Sequence, residues 1–255
     1  MQLHFKSYGR GEPLLILHGL FGSLDNWQSV SVKLSTRFQV FAVDQRNHGS
    51  SPHSPEMDYP RMAADLDEFM QSHGLAHAHV MGHSMGGKTA MQFALLFPER
   101  VDKLVVVDMA PRAYLPRHEK ILRALLSLDL PAFETRHQIE EALAPAIPDL
   151  GTRQFLLKNL TRSPGERFRW KLGLGEISRN YGRLSEPVTG APPFERPTLF
   201  IRGEISDFLT EADLPLIRQL FPTVELRSIP AAGHLVHVEN TEKFLETLTA
   251  FLTER

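Results

Sequence analysis

The sequence predicts an α/β fold with a doubly wound, mostly parallel sheet flanked by helices. Two observations carry this prediction: short apolar runs recur between turn residues, and helical patterns separate several of these runs. A run that is apolar at nearly every position suits a strand covered on both faces, as in a parallel sheet. Ligands of such sheets bind where the strands end at their carboxyl edge. We therefore expect the functional residues in the loops that leave the strands.

The predicted strands and helices alternate along the chain. Strands are expected at residues 13–18, 38–43, 79–81, 103–108, 197–201 and 224–229. Apolar residues at helical spacing are Met62, Leu66, Phe69 and Met70, then Ala90, Phe93, Ala94 and Phe97, and finally Leu245, Leu248 and Leu252. This alternation is typical of a sheet with helices on both faces.

The interval from about residue 111 to 193 breaks the alternation. It holds a helical pattern around Ile121 and Leu125 but no clear buried strand, and it ends in the Pro-rich stretch 186–193. Ordinary crossover helices are one interpretation, although a single crossover seldom needs so many residues. We predict one domain over residues 1–255, with a helical cap inserted at approximately 111–193.

Composition excludes several classes of protein. The net charge is −2, so no global positive field favours nucleic acid as a partner. The absence of cysteine excludes disulfides, thiolate metal sites and a cysteine nucleophile. No basic segment followed by a long apolar one opens the chain, and no apolar run reaches the roughly 18 to 20 residues of a spanning helix. We expect a cytoplasmic protein without stable membrane insertion.

The strongest local motif is Gly82-His-Ser-Met-Gly-Gly87, which follows one predicted strand and opens a predicted helix. A strand, G-x-S-x-G and a helix in this order form a nucleophile elbow, in which glycines tolerate the crowding around a strained serine. The string alone occurs in harmless turns as well. In this context it makes Ser84 the candidate nucleophile.

A serine nucleophile needs a general base, and in this fold the base comes last along the chain. His234 directly follows the predicted strand 224–229 and precedes the terminal helix. Its competitor is His237, three residues further on. The preceding Gly233 and the position just past the last strand favour His234.

The acid that orients the base has two candidates. Asp207 follows the predicted strand 197–201, and Asp108 ends the strand before it. Either aspartate could instead cap a neighbouring helix. We favour Asp207 and keep Asp108 as the alternative.

A tetrahedral intermediate needs backbone donors, usually from the residue after the nucleophile and from the loop after an earlier strand. Here these positions correspond to the amide of Met85 and, within the loop 18–23, to the amide of Leu20. Together with the elbow, they point to a serine mechanism that passes through a tetrahedral intermediate. No metal or organic cofactor is expected.

Three motifs in order resemble one superfamily. They are residues 18–27 (HGLFGSLDNW), 44–52 (DQRNHGSSP) and 82–88 (GHSMGGK). With them the chain is similar to the α/β-hydrolase superfamily over nearly its whole length, and within it to the bacterial YbfF-type esterases and the abhydrolase-domain 11 proteins. The resemblance implies a serine esterase or thioesterase, with acyl-coenzyme A among its candidate substrates. Relatives differ in which strand supplies the acid, so Asp108 remains a candidate.

The resemblance also guides the interpretation of other residues. Asp44, Arg46, Asn47 and His48 match a subfamily signature, and we expect them to fix the loop beside the oxyanion strand rather than to react. Candidate substrate contacts are His18, Gly19, Phe21 and the cap residue Trp170.

Two other functions remain open. The first is a C–C bond hydrolase or lyase of the menaquinone-pathway type, which can share this loop and triad. The second is a hydrolase-like protein that binds a ligand without turnover. The sequence assigns neither an acyl-chain preference nor an oligomeric state.

Overall fold

The central element of the fold is a seven-stranded sheet. The computed structural model describes residues 1–163 and 165–254. The strands of the sheet are β1 (Phe5–Tyr8), β2 (Glu12–Leu17), β3 (Phe38–Val43), β4 (Ala78–His83), β5 (Val101–Val107), β8 (Thr198–Gly203) and β9 (Val224–Ile229). They lie in the order β1-β3-β2-β4-β5-β8-β9, and every pairing is parallel except that of β1 with β3. The predicted α/β fold with a mostly parallel sheet is confirmed.

Helices cover both faces of this sheet. They are α1 (Gln28–Leu34), α2 (Tyr59–Ser72), α3 (Met85–Leu96), α8 (Leu214–Leu220), α9 (Val236–Glu239) and α10 (Thr241–Thr253). Apolar residues of α2, α3 and α8 share one buried cluster with the strands, and those of α1 and α10 share another. The sheet is thus the middle of three layers.

Alternation along the strands explains the two clusters. In β2, Leu15 and Leu17 belong to the cluster with α2 and α3, whereas Leu14 and Ile16 belong to the cluster with α1 and α10. Successive side chains of a strand point to opposite faces, and here both faces are covered. All four side chains are fully buried, which is why the run is apolar at every position.

Between β5 and β8 the chain builds a separate layer. This segment contains α4 (Glu119–Leu126), α5 (Arg136–Leu143), α6 (Leu150–Leu157), α7 (Leu174–Ser185) and the short antiparallel pair β6 (Leu160–Thr161) and β7 (Arg169–Trp170). Its apolar residues form a third cluster, which also takes in Phe21, Tyr59 and Met85 from the sheet layers. The segment therefore packs over the end of the sheet where the nucleophile elbow lies.

The six predicted strands are all present, and each end lies within two residues of its predicted position. The sequence did not reveal β1, which is only half-buried at the sheet edge, or the pair β6 and β7, which is only two residues long in each strand. Within residues 1–163 and 165–254, no helix combines the length and the apolarity needed to cross a membrane.

Candidate active site

Ser84 occupies a sharp turn between β4 and α3. Its φ of 53° and ψ of −118° lie in a region that non-glycine residues rarely adopt and that structures retain at functional sites. A Cβ on Gly82 would lie 2.0 Å from the carbonyl oxygen of Gly86, and one on Gly86 would lie 2.5 Å from that of Leu17. Only glycines fit these two positions. The turn holds the Ser84 side chain, which makes no capping hydrogen bond to α3, at the carboxyl edge of the sheet.

The loop after β9 brings His234 to the end of β5. Its Nδ1 lies 2.8 Å from Oδ2 of Asp108, a residue that is fully buried. The same carboxylate accepts the backbone N–H of Gly203 at 2.9 Å and the hydroxyl of Ser206. Because a carboxylate accepts, the neutral imidazole carries its proton on Nδ1, which leaves the Nε2 lone pair available as a base.

The structure corrects the expected choice of acid. The side chain of Asp207 is 70% exposed and pairs with Arg117 at 2.9 Å, so its carboxylate is engaged away from His234. His237, the competing candidate for the base, does not pair with Asp108. Its ring stacks on Trp27 with centroids 4.0 Å apart. The observed histidine–carboxylate pair is therefore His234 with Asp108.

Two side chains that the sequence analysis did not single out hold His234 in place. Nε2–H of His83 donates to the His234 carbonyl oxygen at 2.8 Å. This hydrogen bond joins His83, the residue before Ser84, to the loop that carries His234. The ring of Phe208 stacks on the imidazole with centroids 3.8 Å apart and an interplanar angle of 20°. Of these two residues, only His83 could have been found from the sequence, because it lies inside the elbow motif.

The two predicted oxyanion donors lie on either side of the elbow. Met85 is the first residue of α3, where amide groups lack partners inside the helix. Leu20 lies in the turn after β2, which the amide of Gly22 closes by donating to the Gly19 carbonyl at 3.0 Å. Over residues 1–163 and 165–254, neither the Leu20 nor the Met85 amide donates a hydrogen bond to another protein atom. Both are free to bind an oxyanion.

A pair of buried histidines fixes the loop that carries Leu20. Nε2 of His18 accepts the Gln45 amide at 3.0 Å, and its Nδ1–H donates to the Gly19 carbonyl at 2.8 Å. Nε2 of His48 accepts the Phe21 amide at 3.2 Å. Burial lowers the pKa of His48 to about 3 and also lowers the pKa of His18. His18 borders a cavity, so its expected contact with a substrate stays a prediction, although both its ring nitrogens already bind backbone groups.

The loop of residues 44–52, which carries the signature residues, supports the same region. The Asp44 carboxylate accepts the amides of Leu24 at 2.8 Å and Ser50 at 2.9 Å. Arg46 binds Asp65 through two nitrogens, at 2.6 and 2.8 Å, and both residues are buried. These hydrogen bonds hold the loop in place, as expected from the sequence.

Two cavities meet at Ser84. The smaller, of about 460 Å³ including the space at its mouth that is open to solvent, lies against Met85, Lys88, Tyr114 and Phe208. The larger, of about 1570 Å³ including its open mouth, is bordered by Gly19, Phe21, Phe155, Lys158, His234 and Val238. Leu20, Ser84 and His118 border both. The arrangement provides separate spaces for the two sides of a substrate attached at Ser84.

The expected contact through Trp170 is not supported. Trp170 is the second residue of β7 and packs against the apolar cluster of its own layer. It borders neither of the two cavities described above. By contrast His18, Gly19 and Phe21, also expected as contacts, border the larger cavity.

His237 makes stability depend on pH. The ring is 5% exposed, its Nδ1 is buried without a partner in the described chain, and burial, followed by the charge of His234, lowers its pKa to about 3. Between its unfolded pKa of 6.5 and this value, the unfolded chain binds a proton that the folded chain excludes. Stability is therefore lost as pH falls below 6.5, by roughly 2 kcal/mol at pH 5 from this residue alone.

We expect His237→Phe to reduce the difference in unfolding free energy between pH 7 and pH 5 by about 2 kcal/mol. Urea denaturation at both pH values measures this difference. His137→Phe is the matched control, because the His137 side chain is 75% exposed and its removal should leave the difference unchanged. An identical pH dependence for the wild type and His237→Phe would contradict the assignment.

Comparison with known proteins identifies the family. Residues 12–241 match the family model described as alpha/beta hydrolase fold. The chain is 36% identical over 247 residues to the sn-1-specific diacylglycerol lipase ABHD11 of Mus musculus, covering 94% of this chain and 80% of the relative. It is 34% identical over 245 residues to esterase YbfF of Escherichia coli K12, covering 95% and 93%.

A solved structure agrees with the sequence relatives. The structure of a marine microorganism esterase superimposes with a TM-score of 0.96 at 43% identity, covering 98% of this chain and 99% of that one. A mostly parallel sheet, a serine elbow and a histidine after the last strand are the features that define this architecture. The chain belongs to the alpha/beta hydrolase fold family.

Proposed function

We propose that the protein hydrolyses carboxylic esters and thioesters through Ser84, with His234 as general base and Asp108 as the acid that orients it. Family membership and relatives named esterase, lipase and hydrolase make it a hydrolase of the carboxylesterase type. The observation that carries the specific proposal is the buried Asp108 carboxylate, 2.8 Å from Nδ1 of a histidine that borders the same cavity as Ser84.

The first half of the reaction forms an acyl-enzyme. Nε2 of His234 takes the Ser84 proton as the hydroxyl oxygen attacks the acyl carbonyl, and the Leu20 and Met85 amides hold the oxyanion. Asp108 stabilises the imidazolium without taking its proton. When the tetrahedral intermediate collapses, His234 returns the proton to the departing alcohol or thiol.

The second half of the reaction releases the carboxylic acid product. A water molecule gives a proton to His234 and attacks the acyl carbonyl of Ser84, and the same amides hold the second oxyanion. Breakdown of this intermediate returns the proton to the Ser84 oxygen. His83 and Phe208 keep the imidazole in one orientation through both halves.

We further propose that residues of about 111–193 act as a cap of the single domain and select the substrate. The smaller cavity, lined mainly by apolar side chains, suits the acyl chain, and the larger one has room for a bulky leaving group. Lys158 of the cap borders the larger cavity and provides a positive charge for an anionic leaving group such as coenzyme A. A cytoplasmic location remains a prediction from the sequence.

The test combines turnover with covalent labelling. We expect steady-state hydrolysis of p-nitrophenyl esters and of acyl-coenzyme A thioesters, with the optimum acyl length reporting the smaller cavity. A fluorophosphonate probe should add one label, which peptide mapping should place on Ser84. A folded wild-type protein that turns over no ester or thioester and takes no label would favour the C–C hydrolase or the non-catalytic alternative.

A further inference from the structure

A buried lysine lies one helical turn from the nucleophile. Lys88 follows Ser84 by four residues on α3, and its side chain is 1% exposed. The ammonium donates to the backbone carbonyl of Glu186 at 2.5 Å and lies 5.5 and 5.0 Å from the ring centroids of Tyr59 and Tyr114. An ammonium has three N–H donors, and the Glu186 carbonyl accepts one of them.

No carboxylate of the described chain forms an ion pair with Lys88. Asp213, the nearby acid, pairs instead with Arg112 at 2.8 Å. The hydroxyl groups of the two tyrosines are also committed, since Tyr59 donates to the Leu184 carbonyl at 2.7 Å and Tyr114 to that of Phe208. The charge on Lys88 is thus stabilised by a carbonyl dipole, by two ring faces and by the more distant Glu186 carboxylate.

The surroundings of Lys88 disfavour its charged form. Burial, followed by the positive charge of Arg112, lowers the pKa of Lys88 to about 7. Burying an ammonium without a counter-ion is unfavourable. An anion that entered this space would gain a charge-assisted hydrogen bond and would restore the proton.

The cavity beside Lys88 is the one proposed for the acyl chain. Ser84 and Lys88 both border it, and four residues of an α-helix separate their Cα atoms by about 6 Å along the axis. The lining of this cavity is largely apolar and includes Leu20, Met85, Met109 and Leu184. A short chain joined to Ser84 therefore crosses apolar surface and ends near an ammonium.

We propose that Lys88 determines acyl specificity by binding a carboxylate at the far end of a short acyl chain, so that preferred substrates are half-esters or half-thioesters of dicarboxylic acids. This inference rests on the proposed function, because it assigns a substrate class to the same site. Lys88 is a binding residue here and exchanges no proton with the reacting atoms.

The test compares two substrates of equal acyl length, mono-p-nitrophenyl glutarate and p-nitrophenyl pentanoate. Lys88→Met removes the charge while filling similar volume. We expect it to lower the ratio of kcat/KM for the glutarate to that for the pentanoate by about tenfold or more, the range for loss of a hydrogen bond to a charged group. Lys88→Gln is the second variant, and Lys120→Met, at an exposed cap position, should leave the ratio unchanged.

The outcomes separate this inference from the proposed function. Ser84-dependent hydrolysis of the pentanoate with a ratio unaffected in either Lys88 variant would overturn the role of Lys88 and leave the esterase proposal intact. If no ester is turned over, binding of free glutarate, measured as a rise in melting temperature, tests the site by itself. Stabilisation of the wild type that both Lys88 variants lose would support the carboxylate site, whereas no stabilisation of the wild type would overturn it.

Discussion

Replacement of Ser84 by alanine is expected to reduce kcat for ester hydrolysis by on the order of 10⁵- to 10⁶-fold. The variant retains the oxyanion amides and His234, but an ester can then react only with water. The residual rate should remain above that in buffer, because the Leu20 and Met85 amides still stabilise the oxyanion. Steady-state kinetics with a p-nitrophenyl ester measures both rates.

Alanine at position 84 should leave the fold unchanged. The φ of 53° is set by the turn, and alanine has the same Cβ as serine. The melting temperature should therefore stay close to that of the wild type, and the fluorophosphonate label should be lost. Hydrolysis within tenfold of the wild-type rate would exclude Ser84 as the nucleophile.

Asp108→Asn is expected to lower kcat by about 10⁴-fold. The amide keeps the size of the carboxylate and can still accept a hydrogen bond from Gly203 or Ser206. It cannot supply the negative charge that stabilises the His234 imidazolium, and its NH₂ group favours the tautomer in which Nε2 carries the proton. KM should change far less than kcat, because Asp108 is fully buried and borders neither cavity.

Asp207→Asn is the matched comparison for this prediction. Its carboxylate pairs with Arg117 in a solvent-exposed ion pair, and such pairs contribute up to about 1 kcal/mol. We therefore expect kcat to change by less than about fivefold. A larger loss in Asp207→Asn than in Asp108→Asn would show that the acid acts from β8 after all.

The sequence predicts the parts of this site that depend on neighbours along the chain. The elbow around Ser84 needs glycines at fixed offsets, and its strand and helix patterns are local. His234 is marked by its position between the last strand and the terminal helix. Met85 follows directly from the identity of the nucleophile. The predicted strands agree with the structure for the same reason, since each apolar run reflects burial on both faces.

The choice of acid depends on contacts that sequence patterns do not contain. Asp108 and Asp207 both follow the ends of strands, and β5 and β8 are neighbours in the sheet. What separates them is the path of the chain at the end of β8, where Gly203 and Ser206 bind Asp108. That path turns Asp207 outwards to Arg117, a partner 90 residues away in the chain.

Two other residues show the same limit. Trp170 is a large aromatic residue of the kind that often lines pockets, yet in β7 it packs against the apolar cluster of its own layer. Lys88 directly follows the elbow motif. It is the only charged residue of α3 and lies four residues after Ser84, a signal that could have been used. Its significance depends on Tyr59, Tyr114 and Glu186, which meet it only in the folded chain.

The hydrogen bond from His83 to the His234 carbonyl has a dynamic consequence. Surface loops commonly fluctuate on nanosecond to microsecond timescales. Here the loop that carries the base is fastened to β4, a central strand whose own next residue is Ser84. A displacement of His234 must break this hydrogen bond or carry the strand with it. The motions of His234 are therefore expected to follow the sheet rather than the loop that carries it.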